Sequence, residues 1–532
     1  MIKKLSAKRD CRGMDNDEII EAILEDRGIE DLDEFLRPSP DNLIDFDKMK
    51  GLQEAYEIID DAITLGDKIL VLSDCDGDGV NSSAIIARYL RKAGANVNCI
   101  INKGKKHGCS ELDLSLLDGY DAFIVVDSLD NDPEVYRRIT NTGIRLVVVD
   151  HHIAEERLLN SDVSFVLVSS AVDYPNPDLS GAGVCLKLVL YMDEMNLTDY
   201  ADDLWVYAAM GIVSDMCSLE SPENRYIVSR GLRQFDNPAV KKMIGTYMFD
   251  TTSIAFSIGP LLNACMRTNN NELAMNVLLT DDEDEIVDIV KEMQKCREEQ
   301  NAVVDSLIDD LLRQGEEQLD KKCMFFFIDN NIDADIGGLL GNKLLSVYQK
   351  PLFILRDKGD RYEGSMRSVG TSSFLDIANG THLCLCQGHE NASGAFIDKD
   401  KFEEFKVVIE DVLKDIEFCY DVTADVEIEP SQINDALVKN LTALNKISGA
   451  GFKPITVLMR TNDYTVSTFS TKKHLKVVDS DTGVLFTKWN DMSWQTMDNN
   501  GEFIGVGTLA APTYGKKKFY QLTLNEYTQQ ND

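Results

Sequence analysis

Four apolar runs, Lys68–Ser73, Ala122–Asp127, Arg145–Asp150 and Val163–Ser169, are rich in Val, Ile and Leu, and each passes into polar or acidic residues. Short runs without alternation suit strands buried on both faces of a parallel sheet. Between the first two, Ser83–Ala93 sets Ile85, Ile86, Tyr89 and Leu90 at helical spacing, so strand and helix alternate. The pattern predicts an α/β fold with a doubly wound parallel sheet. Ligands of such sheets bind beyond the carboxyl ends of the strands, where Asp74, Asp127 and Asp150 fall.

The chain has 532 residues, more than one hydrophobic core usually serves, which predicts roughly three or four domains. Residues 1–60 read as an N-terminal helical segment, 61–240 as the first α/β domain and 241–320 as a helical connector. Residues 201–235 look helical. Asp281–Leu312 spaces Ile286, Ile289, Met293, Val303, Leu307 and Leu311 as a long connecting helix would. A second, smaller α/β domain is expected over 321–418, with strands at Met324–Ile328 and Pro351–Leu355 and Gly-rich loops at Gly337-Gly338 and Gly388. Over 419–532 short strands dominate, among them Ile455–Arg460, Tyr464–Phe469, Val484–Lys488 and Tyr520–Leu524, as in a small β-barrel.

A net charge of −37 argues against broad attraction to a polyanion, but the charge is unevenly spread. Residues 436–532 hold eleven Lys or Arg against eight Asp or Glu, so the tail is basic and the body acidic. An acidic body fits a centre that gathers carboxylates for divalent metals, and it fits equally a solvated surface. The 12 cysteines are scattered, and Cys384 and Cys386 lack the spacing of common zinc or redox motifs, so buried free thiols are expected rather than disulfides. No apolar run approaches the length of a bilayer span and the start lacks a long apolar stretch, so a cytoplasmic protein without membrane contact is expected.

Ser73-Asp74-Cys75-Asp76-Gly77-Asp78-Gly79 alternates three carboxylates directly after an apolar strand, with glycines that allow a tight turn. Hard divalent cations take such oxygen ligands. A calcium loop of the EF-hand type would carry Glu at its twelfth position, and here that position is Ile85. Asp127 and Asp150-His151-His152 close two further strands, and Asp215 ends the apolar run Ala208–Ser214. Each could be a cap, a turn or a surface polar group; together they supply ligands for two metals.

This series, in this order, resembles the four motifs of the DHH phosphoesterase superfamily. Leu179–Val184, Asn224-Arg225, Ile258–Arg267, Gly364–Ser368 and Gln387–Gly394 extend the likeness to the RecJ-like single-strand exonucleases over roughly residues 60 to 530. The resemblance implies a DHH domain, a DHH-associated substrate-binding domain and a C-terminal OB-like barrel. It implies a phosphodiesterase using two divalent ions, Mn2+ or Mg2+. Asp76, Asp78, Asp127, His151 and Asp215 would ligate metal, with Asp74 in the same cluster. His152 would lie beside the scissile phosphate, and Asp127 and Asp150 complete the catalytic set, Asp150 by orienting the histidines.

By the same resemblance Asn263, Arg267, Ser365, Arg367 and His389 would hold substrate, an arginine fork suiting a phosphate. Lys105 and Lys106 lie in a basic loop where the family has a Gly-containing loop near the active site. Lys472, Lys473, His474, Lys476, Lys516, Lys517 and Lys518 interleave with Phe469, Trp489, Phe519 and Tyr520. These aromatics could stack on bases or fill a barrel core. Leu444–Pro454 stands where the family's Gly- and Pro-rich stretch leads into the OB-fold.

The chain departs from the family at Gln387, where a glycine is usual, at Leu261 in place of arginine and at Met266 in place of glycine. These changes bear on substrate rather than metal, and the divergence suits a phage or otherwise specialised version. The reading is a 5′ to 3′ exonuclease on single-stranded DNA in preference to RNA, acting in repair, recombination or replication. The family also admits a single-strand-binding protein or a helicase as partner. Two alternatives stand beside it: an oligonucleotide or cyclic-dinucleotide phosphodiesterase, and an inactive scaffold that binds DNA or replisome proteins.

Overall fold

The computed structural model describes residues 4–102, 107–245, 248–332, 336–369, 373–416, 421–469, 473–489, 491–497, 499–514 and 517–530, apart from the side chains at 389, 421 and 514. The chain forms two compact units: Ile29–Glu298 with Ala443–Pro454, and Met1–Gly28 with Glu299–Thr442 and Ile455–Asp532. Among the described residues no helix is long and apolar enough to cross a membrane.

The chain opens on strand β1 (Lys4–Asp10). In the first of the two units, β2 (Lys68–Ser73), β3 (Asn96–Ile101), β4 (Ala122–Val126), β5 (Arg145–Asp150) and β6 (Val166–Ser169) form a parallel sheet in the order β3-β2-β4-β5-β6. The expected doubly wound α/β core is present. The chain leaves β2 on one side to make β3, then crosses to make β4 on the other. The mouth between the ends of β2 and β4 is therefore the switch point of the sheet. Leu70, Leu72, Phe123, Val125, Leu146 and Val148 face one core with Tyr136 and Ile139. Each such side chain contributes about 1.5–3 kcal/mol by leaving water.

Four helices cover the motif-bearing region: α1 (Gly77–Lys92), α2 (Gly181–Asn196), α3 (Trp205–Ser214) and α4 (Pro222–Gly231). The first three pack on one another, and α5 (Gly259–Arg267) packs on α1. A π-helical turn at Ile254–Ile258 leads into α5. The long connecting helix is α6 (Glu283–Glu316), with 34 residues.

In the other unit, β7 (Met324–Phe327), β8 (Leu352–Asp357), β9 (Arg361–Arg367), β10 (Leu385–His389) and β11 (Ala392–Asp398) make a five-stranded sheet in the order β10-β11-β9-β8-β7. The Gly-rich loop expected at Gly337-Gly338 is instead the first turn of helix α7 (Gly337–Tyr348), and Gly388 lies within β10. The reason is close approach: a Cβ on Gly338 would lie 2.5 Å from a guanidinium nitrogen of Arg367.

The C-terminal part is β-rich as expected. Strands β12 (Asp421–Glu427), β13 (Val457–Thr461), β14 (Tyr464–Thr468), β15 (Leu475–Asp479), β16 (Leu485–Lys488), β17 (Glu502–Ala510) and β18 (Gln521–Gln530) join β1 in an eight-stranded sheet. Its order is β1-β12-β13-β17-β18-β16-β15-β14, with β1 and β14 at the edges among the described residues. Residues 1–60 are thus not wholly helical. Lys4–Asp10 pairs in parallel with Asp421–Glu427, and Leu5 and Ala7 pack with Val422 against Ala424, Leu458, Ile504 and Val506. Eleven of the cysteines are described, all as free thiols, most of them buried.

Candidate metal centre

The acidic motif does not form a turn of its own. Asp74 follows β2, Asp76 caps α1 by accepting the Gly79 amide at 2.9 Å, and Asp78 lies in the first helical turn. Gly77 and Gly79 are therefore not there for a left-handed conformation. A Cβ on Gly77 would come 2.8 Å from that of Ser214, and one on Gly79 2.7 Å from the Asp74 carbonyl. The glycines let α1 start flush against its neighbours, which brings three alternate carboxylates to one rim.

Asp127 stands directly after β4 with φ +55, a left-handed conformation that Asp tolerates better than most residues. Asp150 ends β5, His151 and His152 follow, and Asp215 caps the C-terminus of α3. These elements converge on one nitrogen. Nε2 of His151 lies 3.2 Å from Asp127, 3.7 Å from Asp215 and 3.9 Å from Asp78. Three sets of side chains present ligand atoms within 4.8 Å of one another: Asp127 with His151 and His152; Asp78 with His151 and Asp215; and Asp74 with Asp76 and Asp127. Shared members make this one cluster.

Two further observations fit cations. The buried Oδ1 of Asp127 accepts no hydrogen bond among the described residues. Burial, together with mutual repulsion among Asp78, Asp127, Asp76 and Asp215, pushes the pKa of Asp78 and Asp127 well above the carboxylate range. Such crowding is costly unless a counter-charge offsets it. Glycines shape the cradle: a Cβ on Gly181 would meet Asp127 Oδ1 at 2.7 Å, and one on Gly211 would meet Asp78 Oδ1 at 2.2 Å. Amides at the start of α2 hold Asp78, Gly181 donating at 2.6 Å and Ala182 at 3.1 Å.

Asp150 is fully buried and faces the histidines rather than the cluster. It accepts the Leu129 amide at 2.6 Å, the amides of His151 and His152 at 2.6 Å each, and Nδ1 of His152 at 2.8 Å. Burial alone would raise its pKa, but the bonds from His152 hold it below the ordinary value. Burial would lower the pKa of His152, yet the Asp150 carboxylate lifts it to about 9. Burial lowers that of His151.

Sequence reading missed His107 as a site residue. Its Nδ1 lies 3.0 Å from Asp74 Oδ2, its Nε2 lies 3.1 Å from the Leu129 carbonyl, and its ring meets that of His152 at 4.6 Å. Ser128 joins it, donating to Asp74 Oδ1 at 3.4 Å and accepting the Gly108 amide at 2.8 Å. A lone His in a Lys- and Gly-rich stretch carries no periodic signal, and only the fold brings it to the acids.

Asn263 and Arg267 lie one turn apart on α5 and so share a face. Ser365 and Arg367 alternate on β9 and share a face of the smaller sheet. Arg367 donates from Nε to Asn342 at 3.0 Å, and burial lowers its pKa. His389 pairs with Ala392, which pairs with Arg367 in the next strand, so the two occupy one cross-strand row. Lys105, Lys106, Lys472 and Lys516 lie outside the described residues.

Phe469, Trp489, Phe519 and Tyr520 are not buried, whereas Tyr464, Phe486 and Phe503 are. Phe469 stacks on Trp489 at 5.6 Å, His474 meets Trp489 at 4.9 Å, and Lys476 stands 5.7 Å over Phe469. Trp489 is 47% exposed. Lys518 and Tyr520 both bind Asp435, at 2.5 and 2.7 Å, so their polar ends are engaged within the protein.

Residues 68–212, which carry the parallel sheet with the acids and the His pair at its switch point, match the DHH family, N-terminal domain. The chain is RecJ-like. It is similar to a putative SPbeta prophage-derived single-strand DNA-specific exonuclease, YorK of Bacillus subtilis, with 26% identity over 456 residues, 79% of this chain and 78% of the relative. It is 27% identical over 382 residues to the single-stranded-DNA-specific exonuclease RecJ of Thermus thermophilus, covering 68% of this chain and 54% of that one. In fold it is similar to the crystal structure of Thermus thermophilus RecJ in complex with Mn2+, with a TM-score of 0.80, 21% identity, and coverage of 99% of this chain and 80% of that one.

Proposed function

We propose that this chain is a metal-dependent exonuclease that hydrolyses phosphodiester bonds of single-stranded DNA from the 5′ end, in repair, recombination or replication. The observation that carries the reading is the gathering of Asp78, Asp127 and Asp215 within 3.9 Å of His151 Nε2 at the switch point of the sheet. The names of the similar proteins support the substrate, each being described as specific for single-stranded DNA.

Asp76, Asp78, Asp127, His151 and Asp215 would hold two divalent ions, Mn2+ or Mg2+, with Asp74 beside them. Such ions supply Lewis-acid charge to an in-line displacement at phosphorus. The chain's own groups do the rest. Asp150 accepts a hydrogen bond from Nδ1 of His152 and so leaves Nε2 to face a phosphate oxygen. The amides at the start of α2 hold Asp78 in place. His107 and Ser128 fix Asp74. Asn263, Arg267, Ser365, Arg367 and His389, with Lys105 and Lys106, are proposed to hold the strand. The Phe469–Trp489 stack with Lys476 offers sequence-tolerant stacking beside positive charge, as single-strand binding needs.

The test is cleavage of single-stranded DNA labelled at either end, with Mn2+, Mg2+ or EDTA. Immediate release of a labelled mononucleotide from the 5′ end, with gradual shortening of the 3′-labelled strand and only when metal is present, is the expected result. Survival of long strands while dinucleotides or cyclic dinucleotides are cut would replace this reading with a small-substrate phosphodiesterase. Binding without cleavage would replace it with a scaffold.

A further inference from the structure

Asp215 is the one member of the cluster that stands at the C-terminal end of a helix, and the backbone after it is unusual. The Asp215 amide still bonds to Gly211 at 2.9 Å, but Met216 takes φ +58, a left-handed conformation disfavoured for a side chain of its size. Such a residue persists only where its surroundings fix it. Cys217 returns to the helix through the Ile212 carbonyl at 3.1 Å, and its thiol lies 3.5 Å from Asp215 Oδ2.

What fixes the next two residues comes from far along the chain. Ala443–Pro454 belongs to the unit that contains the metal centre, although the residues on either side of it do not. The Leu219 amide donates to the Ala450 carbonyl at 2.9 Å. Gly451, at φ +68, lies so close that a Cβ there would stand 2.0 Å from Ser218 Oγ, and one on Gly449 would stand 3.0 Å from Leu219. From the other side Ser218 donates to Asp178 at 2.5 Å and accepts from Asn224 at 3.0 Å.

Arg225 closes the arrangement. It is 3% exposed and donates to three main-chain carbonyls: Phe35 at 2.8 Å, Leu219 at 3.3 Å and Ile447 at 3.0 Å. Its guanidinium lies 3.4 Å from the centroid of Phe35 and 5.2 Å from that of Phe452, and those rings meet each other at 4.9 Å. Burial holds its pKa down to about 10, so it stays a cation at neutral pH. A planar fork holds its donors in fixed directions towards three segments while its face stacks on Phe35, which a compact ammonium does not reproduce.

We propose that Arg225 and the segment Ala443–Pro454 position Asp215: they clamp Ser218-Leu219 from both sides and thereby hold the carboxylate that precedes the strained Met216 in place as a metal ligand. Neither touches the cluster; both act through the loop. The proposal rests on the metal-centre reading above. It makes a stretch of sequence near the C-terminus part of the metal site, although the cluster lies between Asp74 and Asp215.

The test is Mn2+ binding by the full-length protein, read by electron paramagnetic resonance of free Mn2+, beside thermal unfolding. Gly451→Ala intrudes on Ser218, and Arg225→Lys keeps the charge but loses the fork; the second serves if the first fails to fold. Both are expected to weaken Mn2+ binding on the order of 10- to 100-fold in protein that circular dichroism shows to be folded, as loss of outer partners does elsewhere. A purely structural role would lower the melting temperature and leave Mn2+ affinity within twofold, which would overturn the proposal. If the wild type binds no Mn2+, the metal-centre reading fails and this inference with it; binding by the wild type with unchanged variants defeats this inference alone.

Discussion

Oδ1 of Asp150 accepts Nδ1 of His152 at 2.8 Å while the same carboxylate takes three backbone amides, from Leu129, His151 and His152. One buried side chain thus sets both the path of the backbone through the His pair and the orientation of the second ring. Asp150→Asn would turn a donor towards one of these amides. We expect a stability loss of about 1–3 kcal/mol and an activity loss on the order of 10- to 100-fold, measured by urea unfolding and by single-turnover cleavage. Retention of full activity would remove Asp150 from the set.

Asp127 should show the opposite sign for stability. Its carboxylate is buried and repelled by Asp78, Asp76 and Asp150, with pKa raised accordingly. Asp127→Asn removes that repulsion and keeps a residue that tolerates φ +55. The metal-free variant should be more stable than the metal-free wild type by roughly 1 kcal/mol. It should also lose the gain in melting temperature that Mn2+ gives the wild type. Calorimetry with EDTA and with Mn2+ checks both.

His107→Ala removes the 3.0 Å bond to Asp74 and the ring that meets His152. Loss of kcat by roughly 10- to 100-fold is expected. Activity within twofold of wild type in a folded variant would make His107 a bystander.

The other unit should carry its own acid sensitivity. Arg27 grips the buried Asp425 through two bonds of 2.8 Å, and the Thr456 amide adds a third at 2.8 Å. Burial alone would raise the Asp425 pKa, but these partners hold it below the ordinary value. The stability it contributes is therefore full above the unfolded carboxyl pKa of about 3.9 and is lost as pH falls through the lower folded value. Asp425→Asn should cost about 3 kcal/mol at pH 7, with the difference from wild type shrinking below pH about 4. Urea unfolding across that range reads it.

The parallel core was legible because its strands are uninterrupted Val, Ile and Leu, and because their polar ends mark the ligand side of the sheet. The acids and the His pair were visible for the same reason. Strand Asn96–Ile101 escaped because Asn96 and Asn98 give an edge strand a polar face. Lys4–Asp10 escaped because its partner lies at the far end of the chain. Gly77 and Gly79 looked like turn residues, yet they are helical, and what requires them is the nearness of Ser214 and Asp74. Asn224-Arg225 was legible as a motif, whereas its reach to Phe35 and Ile447 depends on tertiary contact alone.

The most direct test is anomalous diffraction at the manganese edge from crystals grown with Mn2+. The account predicts two peaks, one among Asp78, His151 and Asp215 and one among Asp74, Asp76 and Asp127. Absence of any peak at the ends of β2, β4 and β5, with Mn2+ bound elsewhere or nowhere, would contradict it.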